Sequence, residues 1–332
     1  MKTIKYLVAM VGSFFSAFIL INGLCFFYYR PPQNITNAQG FTSTKLKTGD
    51  YFITGTEGYG ILTIDKNGFN NDGVVAPENA QIICIGSSQT EAAGVDTCEN
   101  YVTKLNQIDP HLNAYNLGIS GQSLASSFYR LPYLSKFYPS TRVIVAETAS
   151  LPSISEWEKI AVTLETRCLP ITNYDWKDGN IGMRVIRSMP YARLLFKNLQ
   201  DLKKNNIIIK QSEPVFDYEK YELQVKRAFR ALTQQMDGKP LIIVLVTFPQ
   251  LQKDGRAFYI ENKQTIIVRE VCKENNIIFV DTAPYFLKEY KERRVLPNGF
   301  ANSHIGKGHL NAEGYKILAK VLANLLKKEG IS

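Results

Sequence analysis

Five short apolar segments, separated by stretches of helical periodicity, dominate the chain from residue 81 onward. Continuous apolar runs of this length are typical of strands buried on both faces of a parallel sheet. Strands that alternate with helices predict three layers, with the sheet between two layers of helices. We therefore expect an α/β fold with a doubly wound, flavodoxin-like parallel sheet of about five strands. The expected strands are residues 81–86, 113–117, 142–146, 240–246 and 277–280.

Helical patterns fill most of the connections, and an insertion of about residues 150–236 separates the third expected strand from the fourth. The first expected helix ends near Leu105, and the others cover Ser123–Phe137, Ile181–Lys204, Asp217–Met236, Ile260–Lys273 and Ala312–Lys328. Ligands bind beyond the carboxyl ends of the strands in such sheets. Functional residues are therefore expected in the loops that follow residues 86, 117, 146, 246 and 280.

An apolar segment of about 24 residues, Tyr6–Tyr29, lies near the N-terminus. This length is enough to cross a ~30 Å hydrocarbon core as a helix. A cleaved signal peptide needs a small-x-small exit, and a lipoprotein needs a small residue before its cysteine. The exit here, Leu24-Cys25-Phe26-Phe27, is bulky. The segment is therefore predicted to be an uncleaved signal anchor.

The charges beside this segment predict its orientation. Lys2 and Lys5 precede it, which places the N-terminus in the cytoplasm. We expect a single-pass protein of the cell membrane, with residues 6–29 in the bilayer and residues 31–332 on the extracytoplasmic side. Three regions follow: the anchor (1–30), a polar tether (31–48) with a lead-in of short strands to residue 80, and the α/β domain (81–332).

Composition excludes several other classes of function. Lys and Arg number 39 against 30 Asp and Glu, but the net charge of +9 is scattered, which does not indicate a nucleic-acid partner. With three histidines and no Cys-x-x-Cys pair, we expect no metal site, and no nucleotide or cofactor motif is present. Cys84 is expected in the core, while Cys98, Cys168 and Cys272 are either free thiols or partly paired.

Three segments at the predicted strand ends carry residue types suited to acyl transfer. Gly86-Ser87-Ser88-Gln89-Thr90-Glu91 places a serine at a sharp turn between strand and helix, where backbone N–H groups stabilise an oxyanion. Asn116-Leu117-Gly118-Ile119-Ser120-Gly121 places a glycine after the second strand. Gly308-His309-Leu310-Asn311 places a histidine before the last helix, where it is a candidate general base. Each segment alone is also compatible with an ordinary turn.

Together and in this order, the three segments resemble the SGNH hydrolases, also called GDSL esterases, over about residues 80–328. The resemblance implies that Ser88 is the nucleophile and that His309 is the base. It also implies that the amides of Ser88 and Gly118 line an oxyanion hole. Ser150 stands in the segment in which the family has a third, asparagine donor.

Two departures from the family pattern affect the expected site. The aspartate usually found three residues before the histidine is replaced by Gly306, and the segment 147–150 lacks the asparagine. Glu147 is the first candidate to orient His309, Asp281 is the second, and a main-chain carbonyl is the third. An imidazole without such a partner loses its required tautomer.

The expected activity is that of an exported, membrane-anchored serine esterase that acts on an acyl ester, for example an O-acetyl ester of a carbohydrate. Two alternatives stay open. An O-acyltransferase would use the same serine and histidine to modify an exported polysaccharide. A catalytically decayed domain would only bind a glycan or a partner.

Overall fold

The computed structural model describes residues 2–28, 33–36, 42–45, 48–54, 57–167, 216–236, 238–252 and 254–330. Strands are numbered here along the chain. They are β1 (Gln33–Thr36), β2 (Thr42–Lys45), β3 (Gly49–Thr54), β4 (Tyr59–Ile64), β5 (Ile82–Ile85), β6 (Ala114–Asn116), β7 (Val143–Thr148), β8 (Leu241–Leu245), β9 (Gln250–Leu251), β10 (Ala257–Phe258) and β11 (Ile278–Asp281).

Helices are numbered in the same way. They are α1 (Lys2–Tyr28), α2 (Ser88–Glu91), α3 (Tyr101–Ile108), α4 (Leu124–Phe137), α5 (Ile154–Thr166), α6 (Tyr218–Thr233), α7 (Lys263–Glu274), α8 (Ala283–Arg293) and α9 (Ala312–Lys328). The helix expected at Ile181–Lys204 lies outside the described residues.

The central sheet has five parallel strands in the order β6-β5-β7-β8-β11. Numbered along the chain, this is the order 2-1-3-4-5 of flavodoxin-like sheets. The predicted fold class is thus confirmed. In this order the strand sequence reverses between β5 and β7, and in such sheets ligands bind beyond the carboxyl ends of the strands at this position.

Each face of the sheet is covered by helices. On β5, the buried side chains of Ile83 and Ile85 pack in one core cluster with residues of α4, α5, α6 and α7. Ile82 and Cys84, which alternate with them, pack in a second cluster with residues of α3, α8 and α9. Burial on both faces explains why the five strands are continuous apolar runs in the sequence.

The lead-in is packed onto this sheet domain. β3 and β4 form an antiparallel hairpin, and Gly60 of β4 lies so close to the next layer that an added Cβ would be 2.3 Å from the Val95 carbonyl oxygen. The Ile61 N–H donates to Asp96 Oδ1 at 2.7 Å, and the Thr63 N–H donates to Thr97 Oγ1 at 2.7 Å. These contacts fix the hairpin against the loop that follows α2.

The N-terminal part differs in one respect from expectation. Residues 31–48 were expected to be a polar tether, but β1 and β2 lie in this region and pair antiparallel. α1 contains a 20-residue stretch, Ile4–Gly23, that is long and apolar enough to cross a membrane or to act as a signal sequence.

The cysteines that the structure describes outside α1 are free. Cys84 and Cys272 are buried and Cys98 is exposed, whereas Cys168 lies outside the described residues. Cys84 is therefore a core residue, as predicted. Cys98 and Cys272 do not form a disulfide with each other.

Candidate active site

The strand-to-helix turn after β5 places Ser88 at the carboxyl end of this strand. Ser88 is the first residue of α2, and Ser87 caps this helix by accepting from the Gln89 N–H at 3.3 Å. The N–H groups of Thr90 and Glu91 donate to the Ser87 carbonyl oxygen. Among the described residues, none accepts from the Ser88 N–H, which makes it the open donor of the first turn.

His309 reaches Ser88 from a loop that is 221 positions further along the chain. Ser88 Oγ and His309 Nε2 are 2.7 Å apart, as expected for a nucleophile and its base. Gln89 holds the two segments together, because its buried side-chain oxygen accepts from the Leu310 N–H at 3.0 Å. Asn311 caps α9 by accepting from the Gly314 N–H, which fixes the other side of the histidine loop.

The acidic partner of His309 is Glu57, which sequence reasoning missed. Glu57 Oε2 lies 2.6 Å from His309 Nδ1 and also accepts from the His309 backbone N–H at 2.8 Å. A carboxylate is an acceptor only, so this contact fits the tautomer with the proton on Nδ1. The Nε2 lone pair is then directed at the Ser88 hydroxyl. Glu57 belongs to the segment between β3 and β4, ahead of the region that resembles a known family.

Two features of the chain make room for Glu57 and hold it in place. Gly308 has φ of +82°, and a Cβ added there would lie 2.3 Å from Glu57 Oε2. Asn302 makes two hydrogen bonds with the backbone of Gly58. Its Oδ1 accepts from the N–H at 2.9 Å, and its Nδ2 donates to the carbonyl oxygen at 3.1 Å. The hairpin and the histidine loop are thus fixed to each other beside the imidazole.

The expected contact between Glu147 and His309 is wrong. Glu147 lies at the end of β7, only 1% exposed, and its carboxylate is held by Ser87 and Thr90. Burial raises the pKa of this carboxyl group, and the hydrogen bonds from Thr90 and Ser87 partly offset that rise. The Glu147 side chain is therefore bonded to the turn that carries Ser88, and Glu57 takes the place beside His309.

Asp281, the second candidate, also has other partners. Its carboxylate accepts from the hydroxyls of Thr247 and Tyr259 and from the Ala283 N–H. It therefore fixes the end of β11 to its neighbours. The third candidate, a main-chain carbonyl, is not needed, because Glu57 occupies the position beside Nδ1.

Of the expected oxyanion residues, two have a backbone N–H that already faces an acceptor in the protein. The Gly118 N–H donates to Asn116 Oδ1 at 2.8 Å, so it already has a partner in the protein. A glycine is required here for close packing, since an added Cβ would lie 2.3 Å from the Glu91 nitrogen. Ser150 follows β7, and its N–H faces Thr148 Oγ1 at 3.4 Å. Oxyanion roles for Ser88, Gly118 and Ser150 stay predictions.

A second buried carboxylate, that of Glu91, lies at the end of α2. It accepts from the N–H of Ser120 at 2.9 Å and from the Ser120 hydroxyl. Burial raises the pKa of Glu91, while these hydrogen bonds and the attraction of His309 oppose the rise. The contact fixes the loop after β6 to the end of α2. In the described residues, no group of His, Cys, Asp and Glu side chains is arranged to hold a metal ion.

Comparison with known proteins gives no family for this chain. No family model matches it, and no curated protein matches it. Several solved structures are similar at low identity. One is a member of the lipolytic G-D-S-L family from Veillonella parvula, at 16% identity and a TM-score of 0.38, covering 74% of this chain and 97% of that one.

Two further similar structures are carbohydrate esterases. A two-domain esterase active on acetylated mannans is 12% identical, with a TM-score of 0.40, and the match covers 76% of this chain and 50% of that one. A catalytic mutant of an acetylxylan esterase from Geobacillus stearothermophilus is 16% identical, with a TM-score of 0.36, covering 73% and 92%. Identities and scores this low establish neither a family nor an activity for this chain.

Proposed function

We propose that this chain is a membrane-anchored serine ester hydrolase of the SGNH type, which removes a short acyl group such as acetyl from a hydroxyl of an extracytoplasmic substrate, with carbohydrate as the substrate class. The observation that carries the proposal is the continuous line of contacts from Ser88 Oγ through both nitrogens of His309 to Glu57. A nucleophile, a base and a group that orients the base are thereby in hydrogen-bond reach.

The chemistry follows from this geometry. His309 Nε2 takes the proton of Ser88 as Oγ attacks the ester carbonyl carbon, and the carbonyl oxygen becomes an oxyanion that the Ser88 N–H stabilises. The imidazolium then protonates the departing alcohol, leaving an acyl-enzyme on Ser88. Water, deprotonated by His309, hydrolyses this ester and frees the serine. Glu57 keeps the imidazole in its tautomer and stabilises the imidazolium at each step.

Hydrolysis and transfer to a sugar hydroxyl share the acyl-enzyme, and solvent access favours hydrolysis. The side chain of His309 is 41% exposed and that of Glu57 is 30% exposed. A base this open to solvent has water beside it when the acyl-enzyme forms. A decayed, merely binding domain was supported by the missing aspartate and the missing asparagine, and Glu57 answers the first of these because it supplies a carboxylate beside His309 Nδ1.

The test uses the full-length protein in detergent and an activated acetyl ester such as p-nitrophenyl acetate. We expect a burst of nitrophenol from acylation, followed by steady turnover. Ser88→Ala should remove the burst, and His309→Ala should slow acylation by at least about 10³-fold. His304→Ala changes an exposed histidine of the same loop and should leave the rate unchanged.

A full burst in Ser88→Ala would contradict the proposal. Adding a soluble oligosaccharide acceptor separates hydrolysis from transfer. The hydrolase should release free acetate at the same rate with and without it, whereas a transferase should acetylate the acceptor.

A further inference from the structure

The carboxylate of Glu147 accepts several hydrogen bonds from the turn that carries Ser88. The Ser87 N–H donates to Oε2 at 2.8 Å, and the Thr90 hydroxyl donates to the same oxygen at 2.8 Å. The Ser87 hydroxyl is 3.0 Å from both carboxylate oxygens. All three donors belong to residues that flank Ser88 in the sequence.

Gly86, the first residue of the turn, leaves the space that the same carboxylate occupies. A Cβ added to Gly86 would lie 2.4 Å from Glu147 Oε2 and 2.4 Å from Thr90 Oγ1. Any larger residue would therefore push the carboxylate away from the turn. The segment Gly86-Ser87-Ser88-Gln89-Thr90 thus supplies both the space and the donors for one buried side chain from the neighbouring strand.

Burying a carboxylate is costly unless hydrogen bonds compensate for the lost water. Ser87 and Thr90 provide that compensation, and in return their own positions are fixed relative to β7. Because Ser88 lies between them, its Oγ and its N–H have little freedom to shift. A displacement of about 1 Å of a reacting group is enough to slow catalysis by roughly 10²-fold.

We propose that Glu147 is a positioning residue for the nucleophile, acting through Ser87 and Thr90 rather than through His309. The inference rests on the proposed function and deepens it. The positioning role requires a carboxylate at this turn, but the carboxylate need not belong to a residue of β7 such as Glu147. A carboxylate at position 87 would meet the same N–H groups at the start of α2, where acidic N-caps are favourable.

The experiment measures the reactivity of Ser88 in the full-length protein, as acylation in burst kinetics and as phosphonylation by a fluorophosphonate, in which Oγ attacks phosphorus and fluoride leaves. Glu147→Gln keeps the size of the side chain, and we expect acylation to slow by about 10- to 100-fold at nearly unchanged KM. Ser87→Asp places two buried carboxylates together and should slow acylation further. The double variant Ser87→Asp/Glu147→Gln should react at least about 10-fold faster than Ser87→Asp alone.

Two further variants complete the design. Asp281→Asn removes a comparable buried strand-end carboxylate and should react at the wild-type rate. Thr90→Val removes one donor without changing the carboxylate, and should slow acylation by about 3- to 10-fold, the loss expected for about one hydrogen bond. This milder change keeps the test decisive if Glu147→Gln does not fold.

The outcomes separate this inference from the proposed function. A wild-type protein whose Ser88 is not acylated overturns both. A wild-type protein that is acylated, with Glu147→Gln and Thr90→Val reacting at its rate, overturns only the positioning role. A double variant no faster than Ser87→Asp also overturns it, because a carboxylate at position 87 would then fail to replace the one that Glu147 supplies.

Discussion

Glu57 is the residue whose role differs most from what the sequence suggested. It is 252 positions from His309 and meets it only because the hairpin of β3 and β4 packs beside the histidine loop. In the proposed reaction, the hydrogen bond between Glu57 and Nδ1 orients the imidazole and stabilises the imidazolium. The same oxygen also accepts from the His309 backbone N–H, and this second hydrogen bond fixes the position of the carboxylate relative to the imidazole.

We expect Glu57→Gln to lower kcat by roughly 10²–10⁴-fold with little change in KM, because an amide can orient the imidazole but stabilises the imidazolium poorly. Steady-state kinetics on an activated ester measure the effect. Glu78→Gln changes an exposed glutamate outside the site and serves as the control. A Glu57→Gln protein with wild-type kcat would show that Glu57 has no part in the reaction.

Sequence patterns predicted Ser88 and His309, and the structure brings these two residues together. Both belong to short motifs at the ends of predicted elements, so local sequence was sufficient. The partner of His309 could not be found in this way. Glu147 and Asp281 were reasonable choices as strand-end carboxylates, but strand register and neighbouring hydroxyls decide which way such a side chain points. The signal for Glu57 was only a glutamate beside Gly58 in a glycine-containing turn.

At the level of elements, the strands of the sheet and the last helix were the most predictable parts. Burial on both faces gives β5, β7 and β8 continuous apolar sequences. α9 has the bounds expected from its periodicity, Ala312–Lys328. The docking of the hairpin was not predictable. It depends on side chains such as Asp96 and Thr97, which accept hydrogen bonds from backbone N–H groups of β4, more than 30 positions earlier in the chain.

The hairpin must stay docked for Glu57 to reach His309, and Asn302 provides a direct test of this requirement. Asn302→Ala removes both hydrogen bonds to Gly58, which should lower the free energy of unfolding by about 1–3 kcal/mol. We expect kcat to fall by about 10-fold under conditions where the protein is fully folded, because the carboxylate is then held less firmly. Urea unfolding and ester hydrolysis give the two quantities.

Ser303→Ala is the matched control in the same loop. Its hydroxyl makes only a 3.4 Å contact with the Phe300 carbonyl oxygen and none with the hairpin among the described residues. Stability and kcat should both stay near the wild-type values. An unchanged kcat in Asn302→Ala, despite a loss of stability, would mean that hairpin docking does not control the site.

For the whole molecule, the order of the parts along the chain is informative. α1 precedes the hairpin that carries Glu57, and the hairpin precedes the sheet that carries Ser88 and His309. The proposed site is thus completed by a segment that lies in the chain between the apolar helix and the sheet domain. An anchor in the membrane would place both parts of the site close to the extracytoplasmic surface.

We expect α1 to anchor the whole protein in a membrane. The side chains of Ile4–Gly23 are almost all exposed and apolar, an arrangement that is unfavourable in water and favourable in lipid. We expect a C-terminally tagged protein to stay in the membrane fraction after carbonate washing, at the mass of the full 37.5 kDa chain plus its tag. The tag should be digested by protease added outside intact spheroplasts, because Lys2 and Lys5 predict a cytoplasmic N-terminus.

A variant with a small-x-small exit shows that the assay detects release. Leu24→Ala/Phe26→Ala gives the apolar segment the small residues that signal peptidase needs, so part of this variant should appear as a shorter, soluble form. The soluble form retains β3, β4 and Glu57 and should hydrolyse the ester as fast as the anchored protein. If the wild-type protein is itself released in shortened form, the helix is a cleaved signal sequence, and the site then works in solution rather than beside the bilayer.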